Sequence, residues 1–358
     1  MNYWNQLFDS VVYVAPLEHR VPPGWAAYDD STRIQVVPFS VDRGHGLEQP
    51  VSGVLDIPRM VTALWNGCRK TDSLHLRCPG NIGLLGALLG RLLAKKRIAK
   101  YAGQWTRYAG EAWTVSLQRT LLGSRWWGAP TTVYTSTQSG PSHVIPFFST
   151  AMTDHDLSLA RDIALARTPK DNQRFRLLFV GRLSASKSVD VFLRAVSTMA
   201  TPHAVTIVGD GPQREPLEKL ASDLGLSSQV RFLGAIDQQE TFEQYTSHDV
   251  LVLPSRTEGW PKVLTEAMAF GMVCVGTCEG LMPYMLAENR GFTFPFGDDS
   301  TLADILDAIA RDYAQALDNA KQASAWAQQY SLEQLQQRLR QTMIDWWKLD
   351  ERDLRPIG

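Results

Sequence analysis

Cysteine is the first scarcity. Its four residues in 358, Cys68, Cys78, Cys274 and Cys278, are too few and too scattered for a disulfide framework. Only the last two are close, and no second pair completes a zinc site, so no metal is expected and the thiols should be buried in a reducing compartment. Long apolar runs are also missing. The longest, NIGLLGALLGRLLA at 81–94, is interrupted by Arg91 and is too short to span a bilayer. The opening MNYWNQLFDS has neither a basic nor an apolar leader region, so no signal peptide is read and a cytoplasmic location is expected. Charge of one sign is not in excess either. A formal net charge of -1 gives no whole-chain signal for nucleic acid or membrane, and nucleic acid is not expected as a partner.

The charge is unevenly placed, however. Up to Thr168 there are 17 Lys+Arg against 12 Asp+Glu, and the remainder carries 19 against 25. Either the first half faces something anionic or this is compositional scatter, and both readings stay open.

The length suggests two domains. From residue 175 onward, short apolar runs alternate with amphipathic stretches. RLLFVG (176–181), HAVTIVGDGP (203–212), QVRFLGAI (229–236), DVLVLPS (249–255) and MVCVGT (272–277) read as buried parallel strands with their turns. Residues 189–200, 215–226 and 241–248 carry helical spacing between them. This alternation predicts a doubly wound α/β sheet whose ligands gather at the carboxyl ends of its strands. The first half alternates less cleanly, with strands expected at 10–17, 33–40, 73–79, 97–104, 131–137 and 143–149 and helices at 57–70, 81–96 and 110–123. The expected division is an α/β domain over 1–168, a second over 169–330, and a final helix over 331–358 with Ser331 as its cap. The polar stretch 166–174 reads as the linker, and Trp346 and Trp347 at the end of the last helix want a surface to bury against.

Chemistry concentrates in PSRTEGWPKVLTEAMAFG (254–271), whose two acids are Glu258 and Glu266. Pro261 suits a helix start and Gly271 a helix end, so a helix is expected from about 261 to 270. Glu258 then stands just outside it, and the amides of Lys262, Val263 and Leu264 open an anion site. Glu266 lies inside the helix among apolar residues, where an ionised carboxylate is costly without a partner. In GRLSASK, Gly181 permits a tight turn and Arg182 and Lys187 are two cations able to neutralise a diphosphate. The turn of Gly209, Asp210 and Gly211 allows close backbone approach. Alone, each feature has an ordinary explanation: Glu266 paired with a lysine, Glu258 and the cations solvated, the glycine turn one of many. Together, on strand ends of one sheet, they form a cradle for a sugar nucleotide.

VGRLSASKSVDVFLRA, VTIVGDGP, VRFLGAI and LPSRTEGWPKVLTEAMAFG together resemble the nucleotide-binding half of glycosyltransferase family 4, enzymes of the GT-B fold, densely from about 177 to 296. Glu258 and Glu266 match that family's E-x7-E motif. The resemblance implies two Rossmann-like domains facing across a cleft, with the final helix crossing back to the first. It implies that Arg182 and Lys187 meet the donor diphosphate, Glu258 the donor sugar and Glu266 the ribose, with Gly234 and Ile236 beside the base. Arg182, Lys187 and Glu258 are thus the candidate catalytic residues, and Gly259 and Trp260 complete the donor-binding set. The implied reaction is retaining, metal-independent sugar transfer from a nucleotide-sugar donor, without other cofactor, to a glycan or lipid-linked acceptor in polysaccharide or glycolipid biosynthesis. The cations would stabilise the departing diphosphate.

Two departures stand out. YAGQW places Gln104 where the family carries a histidine. The start MNYWNQLFDSVVYVAP reads as the tail of a first helix followed by a second strand, so the first strand of domain 1 is expected to be absent. That keeps a rival reading open, a non-catalytic nucleotide-sugar-binding subunit needing a partner; a sugar-nucleotide epimerase and a phosphorylase are rivals within the fold. RLLAKKRIAK (91–100), with five basic residues, suggests a peripheral contact with an anionic membrane; otherwise it is a helix whose cationic end complements its own dipole.

Overall fold

The computed structural model describes residues 7–16, 33–40, 56–108, 110–136, 140–169 and 175–354. The chain forms two compact units, the first of residues 1–147 with 336–358 and the second of residues 148–335. The boundary therefore precedes the expected one near 168. Helix α4 (Asp154–Ala166), opened by a capping box between Thr153 and Asp156, goes with the second unit. The reason lies just after it. Arg167 donates from Nε to Phe270 O at 2.8 Å and from Nη1 to His248 O at 2.9 Å, which ties the helix end to the second unit. Of the expected linker, 170–174 lies outside the described residues.

The second unit holds a six-stranded sheet in the order β12-β11-β10-β7-β8-β9, parallel throughout. The strands are β7 (Phe175–Val180), β8 (His203–Val208), β9 (Val230–Gly234), β10 (Val250–Leu253), β11 (Val273–Thr277) and β12 (Phe292–Phe294). They read as unbroken apolar runs because both faces are covered: Leu177, Leu178, Val250, Leu251, Cys274 and Val275 are all buried. The chain builds outward from β7 to β9, then returns past β7 to build β10 to β12. The switch point thus lies between β7 and β10, where ligands of such sheets bind.

Around the sheet lie α5 (Val189–Thr198), α6 (Arg214–Asp223), α7 (Gln238–Ser247), α8 (Lys262–Ala269), α9 (Met282–Leu286), α10 (Asp299–Arg311) and α11 (Tyr313–Ala327). The helix after β10 is slightly shorter than expected, with Gly271 in a left-handed conformation (φ 68°) just past its end. Its Cβ position is 2.7 Å from Ala164 Cβ, so glycine also admits the close passage of α4. Residues 278–330, for which the sequence carries no expected elements, hold α9, β12, α10 and α11.

The first unit carries two parallel sheets, β1 (Val11–Pro16) with β2 (Ile34–Phe39), and β3 (Ser73–Cys78), β4 (Lys96–Gln104), β5 (Thr131–Tyr134) and β6 (Val144–Pro146) in that order. Among the described residues, β1 and β3 do not pair with each other. Helix α1 (Ile57–Cys68) lays Met60 and Ala63 against Phe39, Val14 and Val37. Helices α2 (Asn81–Leu93) and α3 (Trp113–Leu122) cover the larger sheet through a core containing Leu76, Ala87, Tyr101, Leu122 and Trp127.

Helix α2 stops three residues before its expected end and β4 begins one residue before its expected start, so Lys96 joins Arg97 and Lys100 on β4 and the alternative of one cationic helix tail over 91–100 is set aside. Arg97 is spent on structure, donating from Nε to Trp127 O at 3.2 Å. In the last helix, α12 (Leu332–Trp347), Ser331 Oγ accepts from Gln334 N at 3.2 Å. Only one tryptophan finds the surface expected for both. Trp347 donates from Nε1 to Arg97 O at 3.3 Å, whereas Trp346 stays 37% exposed. No described helix is long and apolar enough to cross a membrane. The four cysteines are free, and Cys278, expected to be buried, is exposed at the strand-end loop after β11.

Candidate functional site

The loops leaving β7, β8, β9 and β10 are bound to one another, which makes a single surface of the sheet's carboxyl edge. Gly181 N donates to Val208 O at 3.0 Å and Leu183 N to Asp210 O at 2.9 Å, joining the first two loops. Gly209 N donates to Gly234 O at 2.7 Å, joining the third, and Arg256 N to Ser186 O at 2.9 Å, joining the fourth. The glycines are needed for contact as well as conformation. Gly209 has φ 125°, and a Cβ there would lie 1.9 Å from Gly181 O.

The two candidate catalytic elements meet at the switch point. Lys187 ends a short 3-10 turn (Ala185–Lys187) and is followed by Ser188 in a left-handed conformation (φ 48°), which starts α5. Its Nζ donates to Glu258 Oε1 in a close ion pair, with both side chains largely buried. Arg182 is exposed on the same loop and enters no ion pair among the described residues. One cation of the loop is therefore held against Glu258, and the other, Arg182, is exposed.

Glu258 is also held from the far side. Gly280, in the loop after β11, has φ 61°, and a Cβ there would lie 2.3 Å from Glu258 O. Sequence reasoning passed over Gly280, because a glycine in a loop carries no sign of which backbone it will touch.

Glu266 is 9% exposed on α8. Its hydrogen-bond partner among the described residues is not a lysine: Tyr245, fully buried on α7, donates its hydroxyl to Glu266 Oε2 at 2.9 Å. Burial pushes the Glu266 carboxyl above the usual carboxylate range, while the Tyr245 hydroxyl and the nearby charge of Lys262 pull it back. Tyr245 was likewise missed. Its place on an apolar helix face signals only a core residue.

The remaining expected residues divide. Lys262 and Val263 open α8, but the Leu264 amide is not free as expected: it donates to Pro261 O at 3.0 Å and its side chain is buried, because α8 tightens in its first turn. Gly259 lies beside Glu258. The Trp260 indole packs against Tyr330 and Phe148 at 4.9 and 6.0 Å between ring centres, so its ring is committed to the unit's core. Asp210 accepts locally, from Gly211 N at 2.7 Å and Arg214 Nη1 at 3.2 Å. Gly211 packs on Leu183 O, Gly234 turns with φ 79°, and Ile236 is half-buried just after β9. Gln104, at the end of β4, donates to Thr106 Oγ1 at 3.0 Å. Among the described residues, no group of three or more His, Cys, Asp or Glu side chains is placed to hold a metal.

Residues 161–329 match the family model "Glycosyl transferases group 1". An uncharacterised glycosyltransferase of Methanocaldococcus jannaschii is 36% identical over 141 residues, covering 38% of this chain and 36% of that protein. A D-inositol 3-phosphate glycosyltransferase of Streptomyces avermitilis is 33% identical over 151 residues, covering 38% of this chain and 32% of that protein. The chain thus spans about a third of the length of the curated relatives it matches. Among solved structures, sucrose-phosphate synthase from Thermosynechococcus elongatus superposes with a TM-score of 0.69 at 18% identity, covering 91% of this chain and 87% of that one. Anabaena HepE in complex with UDP-glucose gives 0.65 at 17% identity, covering 87% and 86%. These likenesses carry the fold, which is GT-B.

Proposed function

We propose that this chain is a retaining glycosyltransferase of family 4 that moves a sugar from a nucleotide-diphosphate donor to a glycan or lipid-linked acceptor. The observation that carries the reading is the meeting of Lys187 with Glu258 at the switch point between β7 and β10, with Arg182 open beside them. In the transferase reaction the bond between the sugar's anomeric carbon and the diphosphate breaks, and negative charge grows on the departing phosphate oxygens. Arg182 and Lys187 are fixed cations that meet that charge. Lys187 then lies between diphosphate and Glu258, so the carboxylate holds the lysine in place and also accepts from sugar hydroxyls. Glu266 accepts from the ribose, and the Gly209 and Gly211 turn lets the nucleotide approach the backbone. No protein nucleophile and no metal is assigned a step.

The complexes of HepE with UDP and UDP-glucose support uridine nucleotides as the first donors to try. Thermal melting against a panel of nucleotide sugars tests the reading, since a ligand bound only to the folded state raises the melting temperature. The expected result is a rise with one nucleotide sugar that is lost in Glu258→Gln and Lys187→Ala. If no nucleotide sugar raises it, or both variants respond as the parent does, the reading fails.

The acceptor side of the proposal includes a peripheral contact with anionic membrane from the cytoplasmic side. On the neighbouring helices α2 and α3, Leu92 and Trp113 are 76% and 74% exposed, and Arg91 lies over the Trp126 ring at 5.8 Å. Binding to anionic vesicles that salt abolishes, and that Leu92→Ser with Trp113→Ser weakens, is the expected outcome.

A further inference from the structure

Glu266 is an expensive residue for its position. It is almost wholly buried on α8, and no cation lies within bonding distance of it among the described residues. An amide or an aliphatic side chain of similar size would fill the same space without a charge to desolvate. Its one bond is the 2.9 Å contact from Tyr245, which uses Oε2 and leaves Oε1 without a partner among the described residues.

Tyr245 is fixed from three sides. Its ring packs against Phe242 and Phe270 at 6.3 and 5.6 Å between centres. Its backbone carbonyl accepts from Arg167 Nη2, and the same guanidinium donates from Nε to Phe270 O at 2.8 Å. One arginine therefore binds the ends of both α7 and α8, the two helices that carry the tyrosine and the glutamate. The phenol cannot swing away, and the carboxylate it holds cannot rotate without losing its only bond.

We infer that Tyr245 is a positioning residue for donor binding: its hydroxyl locks the Glu266 carboxylate in one orientation and reserves Oε1 for the ribose hydroxyls of the nucleotide. This rests on the donor reading proposed above. The hydroxyl also favours the ionised form, which is the form that accepts from both ribose hydroxyls. The ionisable groups around the pair are Lys262 on α8, Cys274 on β11 and Arg167 after α4, with the carboxylate and the phenol themselves. Of these, only Lys262 and Tyr245 draw the Glu266 carboxyl back toward ionisation.

The test compares the tightest of UDP, GDP and ADP with its 2′,3′-dideoxy analogue by calorimetry on the full chain, at pH 6 and pH 8. The parent should prefer the ribonucleotide. Tyr245→Phe keeps the ring and removes the bond, so ribonucleotide affinity should fall about tenfold or more, the worth of a hydrogen bond to a charged group. Dideoxy affinity should hold, and the loss should be no smaller at pH 6 than at pH 8, because the removed bond draws the carboxyl toward ionisation. In a Glu266→Gln background the same change should have no further effect on the ribose preference.

A Tyr245→Phe chain that keeps the preference, or weakens both nucleotides equally at both pH values, overturns the inference while leaving the donor reading intact. A parent chain that binds none of the three nucleotides overturns the donor reading, and this inference with it. Should Tyr245→Phe fail to fold, the parent supplies the measurement: with tyrosine labelled at Cζ, the Tyr245 resonance should shift on binding the ribonucleotide and not its dideoxy analogue, and a shift with both or with neither is the contrary result.

Discussion

Gly280→Ala asks how firmly Glu258 is placed. Gly280 has φ 61°, and the added methyl would stand 2.3 Å from Glu258 O, with the Glu258 carbonyl carbon and amide nitrogen both at 3.3 Å. It must retreat to at least 3.0 Å, and the obstacle is backbone rather than a flexible side-chain end. The left-handed conformation alone costs about 1–2 kcal/mol for alanine. The steric conflict adds to that or is relieved by moving Glu258, and misplacement by about 1 Å at a reacting centre costs about 100-fold. Gly297→Ala is the control, because Gly297 has φ 83° but nothing within 4 Å of its Cβ position, so it carries the conformational cost alone. Urea unfolding of both variants gives the stability difference, and calorimetry with the nucleotide sugar that raises the melting temperature and with its free nucleoside diphosphate gives the contribution of the sugar. Gly280→Ala should be the less stable of the two and should lose any preference the parent shows for the nucleotide sugar over the free diphosphate. Equal losses of stability together with an undiminished preference would refute the role given to Gly280 in holding Glu258.

Two further outcomes follow from buried ionic groups. Arg119 and Glu111 form a bidentate pair on the first unit, with Nη2 to Oε2 at 2.6 Å and side chains 10% and 5% exposed. Glu111→Ala leaves the guanidinium buried and unpaired, and a loss of about 3–5 kcal/mol in urea unfolding is expected; a loss under 1 kcal/mol would contradict it. His248 is buried, with Nε2 2.8 Å from Thr206 Oγ1 and Nδ1 2.9 Å from Gln244 O, and burial holds its pKa below the ordinary value of 6.5. The unfolded chain therefore takes up a proton below pH 6.5 that the folded chain refuses, so stability falls as pH drops through that point. His248→Gln should flatten the dependence of the urea midpoint between pH 7 and pH 5, and an unaltered slope would count against it.

The second unit was largely legible in the sequence because buried parallel strands and their amphipathic helices are written in local patterns. RLLFVG, VTIV, VRFLG, LVL and VCVG announce strands at sight, and PSRTEGWPKVLTEAMAFG shows its helix, its turn and its two acids without any neighbour. The stretch 278–330 was not legible to the same degree: β12 has three residues, too few to show a period. In the first unit, the basic run at 91–100 is expected to pass from a helix ending at 96 to a strand starting at 97, but composition does not show the exact residue where a helix ends. The structure divides it between α2, a turn and β4.

What the sequence determined by itself was the α/β alternation and the pair of glutamates eight positions apart, since both are properties of residues along a line. What only the tertiary structure decided was who meets those glutamates. Lys187 reaches Glu258 from 71 positions away, Gly280 presses on the Glu258 backbone from a different strand end, and Tyr245 closes on Glu266 from another helix. Strand order sets these meetings. Placing β10 beside β7 brings distant loops onto one edge, and no local pattern encodes that adjacency.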